Sequence, residues 1–288
     1  MSITRKPTAD SIEHASGKGR GDENFPVGSL LIAPRLRAHV HAFYRFARNA
    51  DDVADACELT PDEKLCRLDR MAAVLDGAPG DDAPSASLMR RSLGQTAIDP
   101  VHCHELLAAF RQDATKPRYA NWGELMGYCR LSAAPVGRYL LDLHGETRDT
   151  WPASDALCAA LQVINHMQDC GDDYRELDRV YIPLDWLTAD GAAAEDLAFP
   201  ASPPGLRATL DRMVEATAPL VATAAALPGG VQDRGLRAES AVIVALAERL
   251  LGRLRIEDPL AVRVKLGPAG IAMAAAKGIV RAWLGGKK

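Results

Sequence analysis

The chain has 288 residues, of which 48% are hydrophobic and only 5% aromatic, and its formal net charge is −4. This length and an alanine- and leucine-rich composition predict a large helical enzyme and argue against a β-sheet protein. A near-neutral chain without a basic block gives no indication of nucleic-acid binding. The sequence has no signal-peptide core, no apolar run that could span a membrane and no zinc-type cysteine spacing. We therefore expect a cytoplasmic protein with reduced thiols.

In chain order, residues 1–22 are polar and predict a flexible lead-in, and residues 23–266 predict a single helical domain. Apolar residues recur at helical spacing from Pro34 to Ala56. Thr60 and Glu63 have the spacing of a capping box at the start of the next helix. Because no strand pattern accompanies the helical ones, the chain is predicted to be all-α. Further helices are predicted over residues 87–114, 121–145, 153–175, 205–226 and 232–256.

Residues 267–288 predict a tail with one short amphipathic helix. Its predicted apolar side carries Ile271, Ile279, Trp283 and Leu284. Packing of this helix on the body of the protein is the preferred interpretation. Peripheral contact with the inner face of a membrane is the alternative, because lysines and arginines of the tail add positive charge.

The first helix carries an acidic stripe. Tyr44, Arg48, Asp51 and Asp55 are spaced so that they share one helix face, with the two carboxylates one turn apart. Apolar residues flank the stripe on more than one side. This pattern indicates that the carboxylates face an interior cleft rather than bulk water.

A later helix repeats this arrangement. Gln162, Asn165, Asp169 and Asp173 again form one stripe that is surrounded by apolar residues. A single acidic pair on a helix is usually a solvated face, but two such pairs in apolar helices favour metal binding. Magnesium suits them, since it prefers oxygen ligands and combines one or two carboxylates with phosphate oxygens. The two stripes therefore predict a magnesium–diphosphate site, in which Arg48 is a candidate donor to the diphosphate.

These two motifs resemble those of the squalene/phytoene synthase family, and the resemblance runs from about residue 24 to residue 183. It implies an all-α isoprenoid synthase bundle around a central active-site cavity, with Mg²⁺ used to ionise a prenyl diphosphate. Within the family, the segments 23–29, 110–119 and 128–138 are most similar to the bacterial hydroxysqualene synthases of hopanoid biosynthesis. Two departures are Gly21–Glu23, where many relatives have a histidine, and Ala134, where this branch often has asparagine.

The resemblance implies a reaction and a role for each matching residue. Presqualene diphosphate would lose diphosphate, rearrange and be captured by water, with a small cluster, on the order of two or three Mg²⁺ ions, and no nicotinamide cofactor. Asp51, Asp55, Asp169 and Asp173 would bind the metal. Tyr44, Arg48 and Tyr119 are the candidate catalytic residues. The candidate substrate-binding residues are Phe25, Arg130, Gln162, Asn165, Arg179 and Tyr181.

Three further interpretations concern residues near these motifs. The polar cluster of Arg111, Asp113 and Lys116 either closes over the diphosphate or guides water, or is a surface salt-bridge cluster. His166 is expected to point into a neighbouring helix rather than to act as a base. Arg179 is preferred to Arg175 as the basic residue that reaches phosphate.

Two other functions stay open at this point. A prenyltransferase that condenses two farnesyl diphosphates into presqualene diphosphate, or a phytoene synthase, would use the same metals and cavity. A non-catalytic relative that binds lipid or assists assembly is the alternative of another class, although both acidic pairs argue against it. Contact with other squalene-pathway enzymes is also expected, since the substrate and product are waxy.

Overall fold

The structure, a computed structural model, describes residues 12–13 and 31–285, with side chains described as far as Val280. The chain forms two compact units, one ending at Thr115 and the other beginning at Lys116. Their regular structure is helical, and no strand occurs in the described ranges. The prediction of an all-α chain is therefore confirmed.

The helices of the first unit each begin at a proline or directly after one. Proline suits the first helical turn because its missing N–H has no partner there in any case. The predicted capping box at Thr60 is present, since its hydroxyl accepts from the backbone N–H of Glu63 at 3.3 Å and the Glu63 carboxylate accepts from the backbone N–H of Thr60 at 2.8 Å. The helices are α1 (Pro34–Asp55), α2 (Pro61–Leu75), α3 (Pro84–Thr96) and α4 (Val101–Thr115).

Helix α1 is the element that carries the first acidic stripe. It packs against α2, α3 and α4, and Phe46, Ala50 and Val53 are fully buried in this packing. Burial of these side chains fixes the rotation of α1 about its axis. Rotation in turn determines where the stripe with Asp51 and Asp55 lies.

The second unit is larger and is built around α7, which packs against α5, α6, α10 and α12. Val163, Ile164 and Met167 of α7 are fully buried. Two short 3₁₀ helices, at Arg148–Thr150 and Ala194–Ala198, lie between longer elements. The α-helices are α5 (Trp122–Ser132), α6 (Ala134–His144), α7 (Trp151–Gln168), α8 (Cys170–Leu177), α9 (Leu184–Ala189), α10 (Pro204–Ala224), α11 (Leu227–Gly230), α12 (Arg234–Leu254) and α13 (Pro268–Gly285).

Three helices predicted as continuous are each divided in two, so those predictions were wrong in this respect. The 87–114 pattern is interrupted at Ala97, whose φ of 56° is left-handed, and Pro100 precedes the next helix. The 121–145 pattern breaks at Ala133, shortly before Pro135. The 153–175 pattern breaks at Asp169, with no proline or glycine at that position.

The tail helix α13 packs on α12, but the predicted orientation of its apolar side was wrong. Ile271 and Ile279 are exposed, with relative exposures of 45% and 38%. Ala274 is fully buried instead, in a cluster with Val242 and Leu246 of α12. The side chains of residues 283 and 284, which were assigned to the same side, lie outside the described part of the structure.

Two further sequence predictions concern the whole chain. None of the six cysteines forms a disulfide, as expected for reduced thiols. Among the helices that the structure describes, none combines the length and the apolar character needed to cross a bilayer.

Candidate functional site

The first acidic stripe lies on α1, where the Arg48 guanidinium pairs with Asp51 of the stripe and with the neighbouring Asp52. Arg48 donates from Nη1 to Asp51 Oδ2 at 2.8 Å and from Nη2 to Asp52 Oδ1 at 2.7 Å. Asp52 is almost fully buried, whereas the Asp51 side chain keeps 33% of its exposure. Arg48 therefore fixes two neighbouring carboxylates while Asp51 stays accessible to a ligand.

The Asp51 carboxyl lies near other negative charges, which disfavour its ionised form. Burial raises the pKa of Asp51 well above its usual range, the charge of Asp55 raises it further, and Arg48 opposes both effects. The charges of Asp113 and Asp52 act in the same direction as that of Asp55. A site in which carboxylates repel one another is a site that a cation would stabilise.

Asp113, on α4, lies close to these carboxylates, and the sequence had left its role open. Its side chain is buried, with a relative exposure of 8%, and its charge reaches Asp51. The surface salt-bridge interpretation is therefore wrong for Asp113. It holds for Arg111, which pairs with the exposed carboxylate of Asp69 at 2.8 Å.

The carboxylates of the first unit would supply only some of the ligands of a magnesium ion. No group of three or more His, Cys, Asp or Glu side chains is arranged as a complete metal-binding cluster in the described residues. Magnesium usually takes one or two carboxylates and completes its shell with water and phosphate oxygens. The adjacent, mutually repelling carboxylates of Asp51 and Asp55 fit that mode of binding. Tyr44, two turns earlier on α1, is half-buried.

The second acidic stripe spans the junction between α7 and α8 in the second unit. Asp169 ends one helix and precedes the next, yet its backbone N–H donates to the carbonyl of Asn165 at 2.9 Å. The backbone N–H of Asp173 in turn donates to the carbonyl of Asp169 at 2.8 Å. Because this bonding keeps helical spacing, the break does not remove Asp169 and Asp173 from adjacent turns. Asp169 is exposed, and Asn165 and Asp173 are half-buried.

The two arginines after this stripe differ in environment. Arg179 is buried, with a relative exposure of 6%, and its backbone N–H donates to the carbonyl of Asp173 at 3.1 Å. Arg175 is exposed and pairs with the neighbouring Asp172 at 2.7 Å. Arg179 is therefore buried close in the chain to the second acidic pair, whereas Arg175 is exposed, and the preference for Arg179 as the phosphate-binding residue stays a prediction.

Four buried rings form an aromatic cluster that we define as Tyr119, Tyr128, His166 and Tyr181. The His166 and Tyr181 rings are stacked, with centroids 3.7 Å apart, and Tyr119 stacks on Tyr181 at 5.6 Å. Tyr128 lies 5.3 Å from Tyr119 and 5.4 Å from Tyr181. Stacking and tilted contacts of this kind stabilise a rigid apolar surface.

The backbone holds this cluster in register. Arg118 and Val180 form an isolated parallel bridge, and the Val180 N–H donates to the carbonyl of Pro117 at 2.8 Å. The N–H of Leu184 donates to the carbonyl of Tyr119 at 3.0 Å. Two segments distant in sequence are thereby joined on either side of the cluster. Lys116 lies over the Tyr119 ring at 4.9 Å and pairs with Glu124 at 3.2 Å.

His166 is a neutral member of the aromatic cluster. Burial lowers the pKa of His166 to about 3, and the nearby charge of Arg179 lowers it further. Its Nε2 lies 3.2 Å from the side-chain nitrogen of Gln162, one helical turn earlier. The histidine therefore points into the protein, as expected, and is uncharged at neutral pH.

The structure thus brings most of the predicted residues together within each unit. Tyr44, Arg48, Asp51 and Asp55 share α1, and Gln162, Asn165, Arg179, Tyr119 and Tyr181 lie on or next to α7 and α8. Arg130 is exposed in the last turn of α5. Phe25 and the segment 23–29 lie outside the described residues. Sequence reasoning missed Tyr128, and it left Asp113 open between a role at the diphosphate and a surface salt bridge.

The sequence is similar to known proteins over most of its length. The chain is 49% identical to the hydroxysqualene synthase of Rhodopseudomonas palustris over 256 residues, which cover 89% of this chain and 87% of that protein. It is 45% identical to the hydroxysqualene synthase of Zymomonas mobilis, with 96% of this chain and 95% of that protein covered. Chloroplast phytoene synthase 1 of Solanum lycopersicum is 29% identical over 61% of this chain and 44% of that protein.

Solved structures confirm the fold. The crystal structure of squalene synthase HpnC from Alicyclobacillus acidocaldarius matches with a TM-score of 0.71 at 29% identity, covering 82% of this chain and 89% of that one. A dehydrosqualene synthase matches with a TM-score of 0.78 at 19% identity, covering 91% and 92%. The all-α fold is therefore that of the isoprenoid synthases. The family model of squalene/phytoene synthases matches residues 18–269, so this chain belongs to the squalene/phytoene synthase family.

Proposed function

We propose that this chain is a hydroxysqualene synthase that converts presqualene diphosphate and water into hydroxysqualene and diphosphate. The observation that carries the proposal is the identity of 45–49% to proteins of that name along most of the chain. Phytoene synthases match at only 29–31% and over 61% of the chain. Members of the family act on prenyl diphosphates, and the specific substrate and the lyase-type chemistry are part of our proposal.

We assign metal binding to both acidic pairs, Asp51 with Asp55 and Asp169 with Asp173. Bound Mg²⁺ would neutralise the charge that grows on the leaving diphosphate. Arg48 keeps Asp51 in place through its 2.8 Å ion pair, so that the carboxylate is oriented before a ligand arrives. Tyr44 on α1 and Arg179 after α8 would contact the diphosphate or its neighbours.

The chemistry after ionisation depends on surfaces that do not react with a carbocation. The bond from carbon to the diphosphate oxygen breaks, and the diphosphate keeps the electron pair. The cyclopropylcarbinyl cation then rearranges, water adds to it, and the added water loses a proton. Ring faces of Tyr119, Tyr128 and Tyr181 would stabilise the cation by cation–π interactions. A neutral His166 adds no competing positive charge, and Gln162 and Asn165 provide uncharged polar groups beside it.

No reductant takes part in this version of the reaction, so no nicotinamide cofactor is required. We further propose that the enzyme acts in the cytoplasm. Its product would pass to other enzymes of squalene and hopanoid biosynthesis, because neither substrate nor product is water-soluble.

The decisive experiment is product analysis with presqualene diphosphate and Mg²⁺, without a nicotinamide cofactor. We expect hydroxysqualene, and unreacted substrate would count against the proposal. A parallel incubation with farnesyl diphosphate alone should yield no presqualene diphosphate; its formation would instead identify a head-to-head prenyltransferase. If calorimetry detects no magnesium-dependent binding of a diphosphate analogue, the non-catalytic alternative replaces both.

A further inference from the structure

Helix α13 is attached to α12 by a seam of small residues. Ala274 is fully buried, and Gly270 and Gly278, one turn to either side, lie on the same face. A Cβ atom at Gly278 would lie 2.6 Å from the carbonyl oxygen of Ala241, so the two backbones are in close contact there. Glycine and alanine therefore form the contact of α13 with α12 at this seam.

Several large apolar side chains among the described residues of α13 are exposed. Met273 and Val280 have relative exposures of 54% and 55%, and Ile271 and Ile279 are also exposed. Ile256 (83%) and Val262 (49%), in the segment between α12 and α13, continue this pattern. An exposed concentration of large apolar residues in one segment marks an interaction surface rather than ordinary surface composition.

The charge of the same segment is one-sided. Residues 261–288 contain six lysines and arginines and no aspartate or glutamate, although the whole chain has a net charge of −4. Arg263 and Lys265 are exposed beside the apolar residues. Lys277 is paired with Glu248 of α12 at 2.7 Å, so it contributes less than the others. A basic segment with outward apolar side chains is complementary to an anionic bilayer surface.

We propose that α13 and the segment before it form a membrane-docking surface that binds anionic lipid bilayers peripherally. Met273, Val280 and Ile279 enter the headgroup region, and the basic residues bind the lipid phosphates. The small-residue seam keeps α13 attached to α12 while its outer face is in the lipid. Binding to the bilayer does not require the catalytic activity, because the surface is separate from the acidic pairs in sequence and chemistry.

The test is sedimentation of the full-length protein with vesicles, in the absence of substrate. We expect binding to vesicles of phosphatidylcholine and phosphatidylglycerol, weaker binding to phosphatidylcholine alone, and a loss of binding as salt is added. The double variant Met273→Asp/Val280→Asp should bind anionic vesicles at least about tenfold more weakly, because it removes apolar burial and adds repulsion. Phe199→Asp, which changes an exposed apolar residue (49%) outside the segment, is the matched control and should bind like the wild type.

Circular dichroism and thermal melting of each variant check that the fold is kept. Equal binding of the double variant and the wild type overturns the proposal, as does wild-type protein that ignores anionic vesicles. A wild-type dimer that dissociates in the double variant also overturns it, because the outward face would then be a contact between two copies of the chain. Sedimentation velocity without lipid distinguishes that outcome.

Discussion

The imidazole of His166 stacks on the ring of Tyr181 with centroids 3.7 Å apart and an interplanar angle of 15°. Such close stacking leaves no room for hydration on the shared side, so the histidine stays neutral, with its pKa lowered to about 3. In the unfolded chain the pKa of a histidine is close to its ordinary value of 6.5. The folded state therefore loses stability as the pH falls through 6.5, since only the unfolded chain takes up the proton.

We expect His166→Phe to reduce this sensitivity to acid while keeping the stacked geometry. In the wild type, His166 should contribute a loss of about 2 kcal/mol in the free energy of unfolding between pH 7.5 and pH 5. Urea denaturation at the two pH values measures this quantity in both proteins. Phe199→Ser, at an exposed residue that does not titrate, is the control and should retain the wild-type loss. An identical loss in His166→Phe would mean that the buried histidine does not titrate as inferred.

Arg48→Met should destabilise the protein and remove most of its activity. The substitution leaves Asp51 and the buried Asp52 without the guanidinium that neutralises them. Breaking such a pair costs roughly 3–5 kcal/mol when it is fully buried, and we expect the lower end because Asp51 retains access to solvent. Chemical denaturation and product formation give the two readouts. Arg48→Lys keeps the charge but cannot bridge both carboxylates, so intermediate values are expected.

Asp113→Asn should stabilise the protein without metal and weaken its response to metal. Removing one charge lowers the repulsion at Asp51, and a gain of about 1 kcal/mol would raise Tm by roughly 2–4 °C. The rise in Tm on adding Mg²⁺ with inorganic diphosphate should be smaller than in the wild type. Asp69→Asn, at the exposed partner of Arg111, should leave the metal response unchanged. A larger rise in Tm for Asp113→Asn than for the wild type would show that Asp113 does not act together with Asp51 and Asp55.

Asp169 and Asp172 offer a matched pair within the second motif. We expect Asp169→Asn to lower turnover at least about a hundredfold, because the variant loses a proposed metal ligand. Asp172→Asn should keep turnover within a few-fold of wild type, since Asp172 is exposed and its carboxylate pairs with Arg175. Product formation from presqualene diphosphate at saturating Mg²⁺ measures both. Comparable losses in the two variants would contradict separate roles.

The sequence predicted the helical fold well because apolar spacing determines which residues each helix buries. Apolar spacing from Pro34 to Ala56 predicted α1, in which Phe46 and Val53 are buried, and the capping box at Thr60 was predictable from the spacing of Thr60 and Glu63. Interruptions were harder to predict. The break at Asp169 is subtle, because helical hydrogen bonding continues across it.

Contacts between distant segments account for what the sequence missed at the site. Asp113 looks like a solvated residue at a helix end, and only the packing of α4 on α1 brings its charge close to Asp51. The stacking of His166 on Tyr181 depends on the chain returning after α8. On α13, the apolar residues were correctly identified, but the sequence did not reveal that glycine and alanine would form the buried side.

At Gly278 the backbones of α13 and α12 are so close that one added methyl group would disturb their packing. Alanine at this position is favourable for helix formation, yet its Cβ would meet the backbone of Ala241 and Val242, which has little freedom to move. Gly278→Ala should therefore loosen α13 from α12 while leaving every outward side chain unchanged. In this variant α13 would pack less tightly on α12. Comparison with the wild type would show whether the rest of the enzyme depends on α13 for its shape.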